Sequence, residues 1–224
     1  MVITTAFLTV SIMACSTPEN EAMKSLKEMG ITYNTENFLE CIDSGNVKAV
    51  DFFLKAGMSA DETWKGRIPL IEASRRGHTE VALALLDSGA AVNAQDRYGV
   101  TALMYAAISG SPGIMDRLIK EGADVNAQDI DGRTALIETL TTENDCPPKI
   151  IRALLNAGAD PNVTIYGGLT PLMLAATGNS EVINILIEAG ADVNARDGRG
   201  RTALQRAKFS QENIQVLKNA GAEE

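Results

Sequence analysis

Six segments of this 224-residue chain share one register: Thr-Ala/Pro-Leu, a helix-length stretch, a second apolar stretch, then Gly-Ala-Asp-Val-Asn and a return to threonine. The best copies open at Thr101, Thr134, Thr170 and Thr202, after a degenerate copy at Ile68-Pro69-Leu70, so the spacings are 33, 33, 36 and 32. A period of that length means a solenoid, because each unit is too small to hide its apolar faces and must bury them against the next. The composition agrees. Apolar residues make up 45% of the chain but aromatics only 4%, so the core is built from Ala, Leu, Ile and Val, as stacked small helices require.

The stretches Thr101-Ala102-Leu103 and Thr170-Pro171-Leu172, with the hairpins Gly122-Ala123-Asp124-Val125-Asn126-Ala127 and Gly190-Ala191-Asp192-Val193-Asn194-Ala195, resemble the ankyrin repeat family. The resemblance implies an all-α solenoid of paired helices with β-hairpin loops. Its six repeats, degenerate at the ends, cover 36–67, 68–100, 101–133, 134–169, 170–201 and 202–224, behind a capping helix within 16–35. It also implies a non-catalytic module, expected to be monomeric, that binds another protein on a concave face lined by hairpin tips and first helices.

The third repeat shows the expected local structure. Thr101 caps the first helix, whose buried side is Leu103, Ala106 and Ala107; small Ala lets the next layer approach. The second helix buries Ile114, Met115, Leu118 and Ile119, a one-sided pattern, and Gly122 ends it at positive φ. Gly57, Gly89, Gly158, Gly190 and Gly221 are its equivalents. Upstream, Thr17 and Pro18 open a helix carrying Ala22, Met23, Leu26 and Met29 that ends near Gly30 and covers the end of the stack. Glu223 and Glu224 give the last copy a solvated end. Repeat four gains three residues, and Glu143-Asn144-Asp145-Cys146-Pro147-Pro148 replaces its inter-helix turn. Prolines forbid continuing the first helix there, so the insertion maps to a loop, either a contact element or a tolerated surface extension.

The first fifteen residues read differently. Val2 to Ala14 is an uncharged apolar run, too short for a membrane-spanning helix of about 20 residues and suited to a secretory signal. Ile12-Met13-Ala14-Cys15 resembles a bacterial lipobox, which implies lipidation at Cys15 and, with Ser16 following, an outer-membrane lipoprotein of the cell envelope. The run lacks Lys or Arg before it and has Met at position 13. A cleaved secreted protein, or a buried N-terminal helix of a cytoplasmic one, stays open.

Net charge of -9 argues against a nucleic-acid partner, since phosphate repels an acidic chain without a segregated basic face. Cys41 and Cys146 lie three layers apart, at roughly 10 Å per layer, far beyond a disulfide's reach. No Cys/His cluster suggests a metal, and no cofactor motif occurs. His78 follows Gly77 in an inter-helix turn, which makes it structural, and no serine or cysteine has a credible base partner. Asn162-Val163-Thr164 matches a glycosylation pattern, but Asn162 is a repeat hairpin residue. The histidine of the family's Thr-Pro-Leu-His is replaced by Ile71, Met104, Ile137, Met173 and Gln205, so packing is expected to substitute for its polar ties.

The tips carry the candidate site. One row reads Arg67, Val100, Arg133, Leu169 and Arg201; a second Trp64, Arg97, Ile130, Tyr166 and Gly198; a third Lys65, Tyr98, Asp131, Gly167 and Arg199. The single Trp and two of the four Tyr therefore sit on tips among arginines, the residue types enriched at binding hot spots. On the first helices, Glu40, Glu72, Tyr105, Glu138, Leu174 and Arg206 occupy one repeat position, and their variety predicts exposure on the concave side. Arg196, Arg199, Arg201, Arg206 and Lys208 concentrate basic charge near the C-terminus, interspersed with Asp192 and Asp197. The expected partner-binding set is Trp64, Arg67, Arg97, Tyr98, Tyr105, Arg133, Tyr166, Leu169, Arg199 and Arg201. The alternative function is a cytosolic scaffold or an immunity-like inhibitor of a toxin; an enzyme is disfavoured because no paired acid and base occur.

Overall fold

The computed structural model describes residues 17–142 and 147–223. Among them α1 (Pro18–Glu28) is followed by six helix pairs: α2 (Thr35–Asp43) with α3 (Val47–Lys55), α4 (Pro69–Arg76) with α5 (Thr79–Asp87), α6 (Ala102–Ile108) with α7 (Pro112–Lys120), α8 (Ala135–Thr141) with α9 (Pro148–Asn156), α10 (Pro171–Ala175) with α11 (Ser180–Glu188), and α12 (Ala203–Arg206) with α13 (Gln211–Asn219). The first helix of each pair packs on the first helix of the next, forming an inner row from α2 to α12, and the second helices form an outer row. The hairpins between pairs are tight turns closed by single antiparallel bridges such as Gln95 to Thr101 and Ile165 to Leu169; no longer strand occurs among the described residues.

The repeated threonine is an N-cap each time. Thr101, Thr134, Thr170 and Thr202 accept from the backbone N–H three residues on, of Met104, Ile137, Met173 and Gln205, at 3.3–3.4 Å. Ile68 has no such side chain, and there Pro69 starts α4 instead. The residues replacing the family histidine do more than pack. Ile71, Ile137 and Met173 are buried as expected, but the Thr202 N–H donates to Gln205 Oε1 at 3.2 Å and the Thr101 N–H reaches Met104 Sδ at 3.4 Å. A capping box thus survives in the third and sixth pairs.

The core is one continuous stripe of Ala, Leu, Ile, Val and Met between the two rows, joined at its N-terminal end by Phe38 and Phe53. Ile114, Met115 and Leu118 are fully buried, while Ile119 is only half-buried at the margin. Gly122 adopts φ 84, as the terminator reading requires. At the N-terminal end α1 packs against α3, with Thr17 as its N-cap and Ala22 and Leu26 buried. Met23 and Met29, expected to help cover that end, are instead exposed, because only one face of α1 meets α3. Residues 143–146 of the insertion lie outside the described residues; Pro147 caps and Pro148 opens α9. The apolar run, the lipobox and Cys15 also lie outside them.

Neighbouring pairs are clasped by one repeated side chain. Asn93 accepts from the Asp124 N–H at 2.8 Å and donates to the Gly122 carbonyl at 3.1 Å. Asn126, Asn162 and Asn194 do the same one repeat later each time, to Asp160 and Gly158, Asp192 and Gly190, and Glu223 and Gly221. The hairpin residue Asn162 is thereby a junction residue. The junction between the first two hairpins is thinner: Asp61 Oδ1 accepts from the Ala91 N–H at 2.9 Å. On the other side of the stack, His78 Nε2 lies 2.9 Å from the Asp43 carbonyl, so this histidine ties two inter-helix turns together.

Candidate interaction surface

Three of the five tips are shaped by a carboxylate that folds the chain back on itself. Asp96 Oδ1 accepts from the N–H groups of Tyr98 and Val100 at 2.8 and 3.0 Å. Asp129 holds Asp131 and Arg133 in the same way, at 2.9 and 2.8 Å. Asp197 holds Arg199 and Arg201, both at 2.9 Å. These turns fix the backbone so that the residues between them project from the stack. The fourth tip has Ile165 at this position, and its turn is made by Gly167 and Gly168, both at positive φ.

Two recesses open where tips and inner helices meet. The N-terminal one encloses about 160 Å³ between the first two tips, with Arg67, Glu72 and Arg75 at its base and Arg97, Tyr98 and Tyr105 beside them. The C-terminal one, a broader hollow of about 550 Å³, lies between the last two tips and is lined by Tyr166, Leu169, Asp197, Arg199, Arg201 and Arg206. All of the expected contact residues except Trp64 and Arg133 therefore line one recess or the other. Trp64 is half-buried and packs on the core from the side, with Lys65 Nζ 3.7 Å above its ring. Arg133 turns to Glu138 at 3.2 Å.

The inner-helix position expected to be uniformly exposed is not. Glu40 is exposed, but Glu72 is buried and Tyr105, Glu138, Leu174 and Arg206 are half-buried. Glu72 is covered because two arginines close over it: Arg67 at 3.1 Å, which also holds Asp43 at 2.6 Å, and Arg75 from its own helix. Burial alone would raise the Glu72 carboxyl; the hydrogen bonds from Arg67 and Arg75 outweigh that and keep it below the usual carboxylate range. Burial pushes the Tyr105 hydroxyl up, away from ionisation.

The C-terminal recess depends on Asp197, whose side chain is 2% exposed. Besides its two backbone donors, it accepts from Arg201 Nε and from Arg206 Nη2, both at 3.0 Å. The Arg201 N–H leads the groups that hold this carboxyl far below its ordinary range against the opposing effect of burial. Part of the basic cluster seen in the sequence is thus spent internally on Asp197, while Arg199 keeps its charge for solvent. Sequence reasoning missed Arg75 and the pivotal place of Asp197. The signals were present: Arg75 stands three residues after Glu72, and Asp197 shares the repeat position of Asp96 and Asp129.

Tyr166 is 96% exposed and Tyr98 47%, with the Arg97 guanidinium 4.7 Å from the Tyr98 ring centre. Such a surface offers stacking area, guanidinium forks and hydroxyls. Among the described residues no cluster of His, Cys, Asp or Glu could hold a metal ion, and no helix is long and apolar enough to cross a membrane.

The family description "Ankyrin repeats (3 copies)" matches residues 12–96, 38–129, 103–197 and 142–223. An ankyrin repeat-containing protein of Treponema pallidum (strain Nichols) is 33% identical over 191 residues, 84% of this chain and 52% of that protein. The potassium channel AKT2/3 of Arabidopsis thaliana is 32% identical over 159 residues, 70% of this chain and 19% of the channel. The ankyrin repeat domain-containing protein SAT10 of Stachybotrys chartarum is 36% identical over 155 residues, 68% of this chain and 6% of its own length. The chain spans about half of the Treponema relative and far less of the other two.

Proposed function

The chain belongs to the ankyrin repeat family, and from that premise we propose that it is a non-catalytic protein-binding module whose partner docks on the face formed by tips and inner helices. The observation that carries this is the coincidence of scarce aromatics with two recesses: Tyr98 and Tyr105 at one, Tyr166 at the other, each beside arginines. Tyr and Arg are among the residue types enriched where binding energy concentrates at interfaces.

The test is affinity for a partner captured from the native source by the full chain. Tyr98→Ala and Tyr166→Ala should each weaken that complex by about 1–2 kcal/mol. Their melting temperatures should stay near the parent's, because neither side chain is part of the core. Unchanged affinity in both variants would put the site elsewhere, and loss of binding on deleting 143–148 would locate it at the insertion.

The proposal extends to location. Cys15 behind an apolar run and a small residue supports a lipid anchor in a bacterial envelope. Cys15→Ser should then release the protein from the membrane fraction, and an intact mass retaining unprocessed Met1 would overturn the anchor and favour the cytosolic scaffold or inhibitor.

A further inference from the structure

The chain is acidic overall, yet its five tips are not. Residues 64–67, 97–100, 130–133, 166–169 and 198–201 contain Lys65, Arg67, Arg97, Arg133, Arg199 and Arg201 against a single acid, Asp131. The net charge of -9 therefore resides elsewhere.

Pairing divides the tip cations into two kinds. Arg67, Arg133 and Arg201 are matched to Asp43 and Glu72, to Glu138, and to Asp197. For Lys65, Arg97 and Arg199 no carboxylate lies within ion-pairing distance among the described residues. Lys65 and Arg97 are instead laid over the rings of Trp64 and Tyr98. Stacking of this kind holds a cation in place and leaves its donors open. Within the tips these three cations lie at the recesses: Lys65 and Arg97 flank the N-terminal recess and Arg199 flanks the C-terminal one. At the second recess Arg206 Nε is also buried without an acceptor.

Resting on the reading of this face as a protein-docking surface, we infer that the partner presents an extended acidic segment, with one carboxylate group seated at each recess. The recesses are three repeats apart, which at roughly 10 Å per helix layer is about 30 Å. An extended chain rises about 3.3–3.6 Å per residue, so the two anchors fall roughly nine residues apart. Lys65, Arg97 and Arg199 attract such a segment and speed its arrival at this face. A nucleic acid is the less fitting polyanion: it would meet Asp131 and Glu138 midway along the face, and its charge is continuous where the unmatched cations are gathered at two places.

The experiment is display selection of random sixteen-residue peptides on the full chain, followed by affinity measurement of the enriched peptides against parent and variants at low and high salt. Enriched peptides should carry Asp or Glu at two sites eight to ten residues apart. Arg97→Glu and Arg199→Glu should each lower their affinity at least tenfold, with unchanged melting curves, and the salt dependence should become shallower. Enriched peptides with no acidic pair, or with pairs at no fixed spacing, overturn the inference. So does a single-stranded oligonucleotide that binds the parent as tightly as the best peptide. Apolar peptides that lose binding in Tyr98→Ala and Tyr166→Ala, but keep it in the charge variants, sink the acidic segment and leave the docking face standing. Peptides indifferent to all four substitutions remove both.

Discussion

At the N-terminal recess the guanidinium of Arg67 is shared between Asp43 and Glu72, carboxylates from two successive inner helices, whereas at the C-terminal recess Arg201 and Arg206 both close on Asp197 alone. The first arrangement is distributed: removing one acid leaves another to hold the arginine. The second is concentrated, because Asp197 Oδ1 also accepts from the two backbone N–H groups, of Arg199 and Arg201, that make its tip turn. One residue there sets both the loop's shape and its charge. The difference shows that a solenoid can build similar binding hollows on supports of unequal redundancy.

Substitution of the two acids should expose that inequality most. Asp197→Asn keeps the shape but strands two arginines beside a neutral group. It should lower the melting temperature by several degrees and release hydrogen-exchange protection in α12 and α13 first. Glu72→Gln should cost clearly less, since Asp43 still holds Arg67; equal losses would break the contrast. Acid should act in the same order. Both carboxyls are held below their usual range when folded, while the unfolded chain takes up these protons near pH 4. Their stabilisation is therefore complete above about pH 5 and drains away as pH falls through 4 towards the folded values. A melting series from pH 7 to 3 should be shallower at its acid end in Asp197→Asn than in Glu72→Gln.

A smaller effect should separate the tips themselves. Gly99 and Gly167 both sit at positive φ, 77 and 83, where an L side chain costs roughly 1–2 kcal/mol. At Gly99 an added Cβ would also meet the Asp129 Cα at 3.0 Å and the Ile130 N at 3.2 Å, backbone atoms that cannot swing aside; at Gly167 nothing lies within 4 Å. Chemical denaturation should find Gly99→Ala the more destabilised, beyond the strain alone, and Gly167→Ala near about 1 kcal/mol. The reverse order would mean that the second and third tips are not in contact in solution.

The repeat register, the capping threonines and the terminating glycines were legible in the sequence because each is decided within a few residues of itself. Thr101 needs only the N–H three positions on, and Gly122 only its own φ. Burial of a polar side chain was not legible, because neighbouring repeats decide it. Glu72 and Arg206 occupy a position whose variety suggested exposure, yet arginines cover the first and Asp197 draws in the second. Met23 and Met29 failed the other way: helical spacing fits a buried stripe, but α3 offers α1 only one face. Alignment of the repeats singled out the tip residues as a candidate surface, and the structure places eight of the ten at two recesses while Trp64 and Arg133 turn aside, which their own sequence neighbourhoods did not signal.

The asparagine clasps give the molecule a mechanical character. Each joins a hairpin only to the next, so a pull along the stack is borne in series, and the weakest coupling sets the force at which it parts. From the second hairpin onward each asparagine clasp makes two side-chain hydrogen bonds, whereas among the described residues the first junction has the single bond from the Ala91 N–H to Asp61. Stretched from its ends, the hairpin layer should therefore part first beside the N-terminal recess.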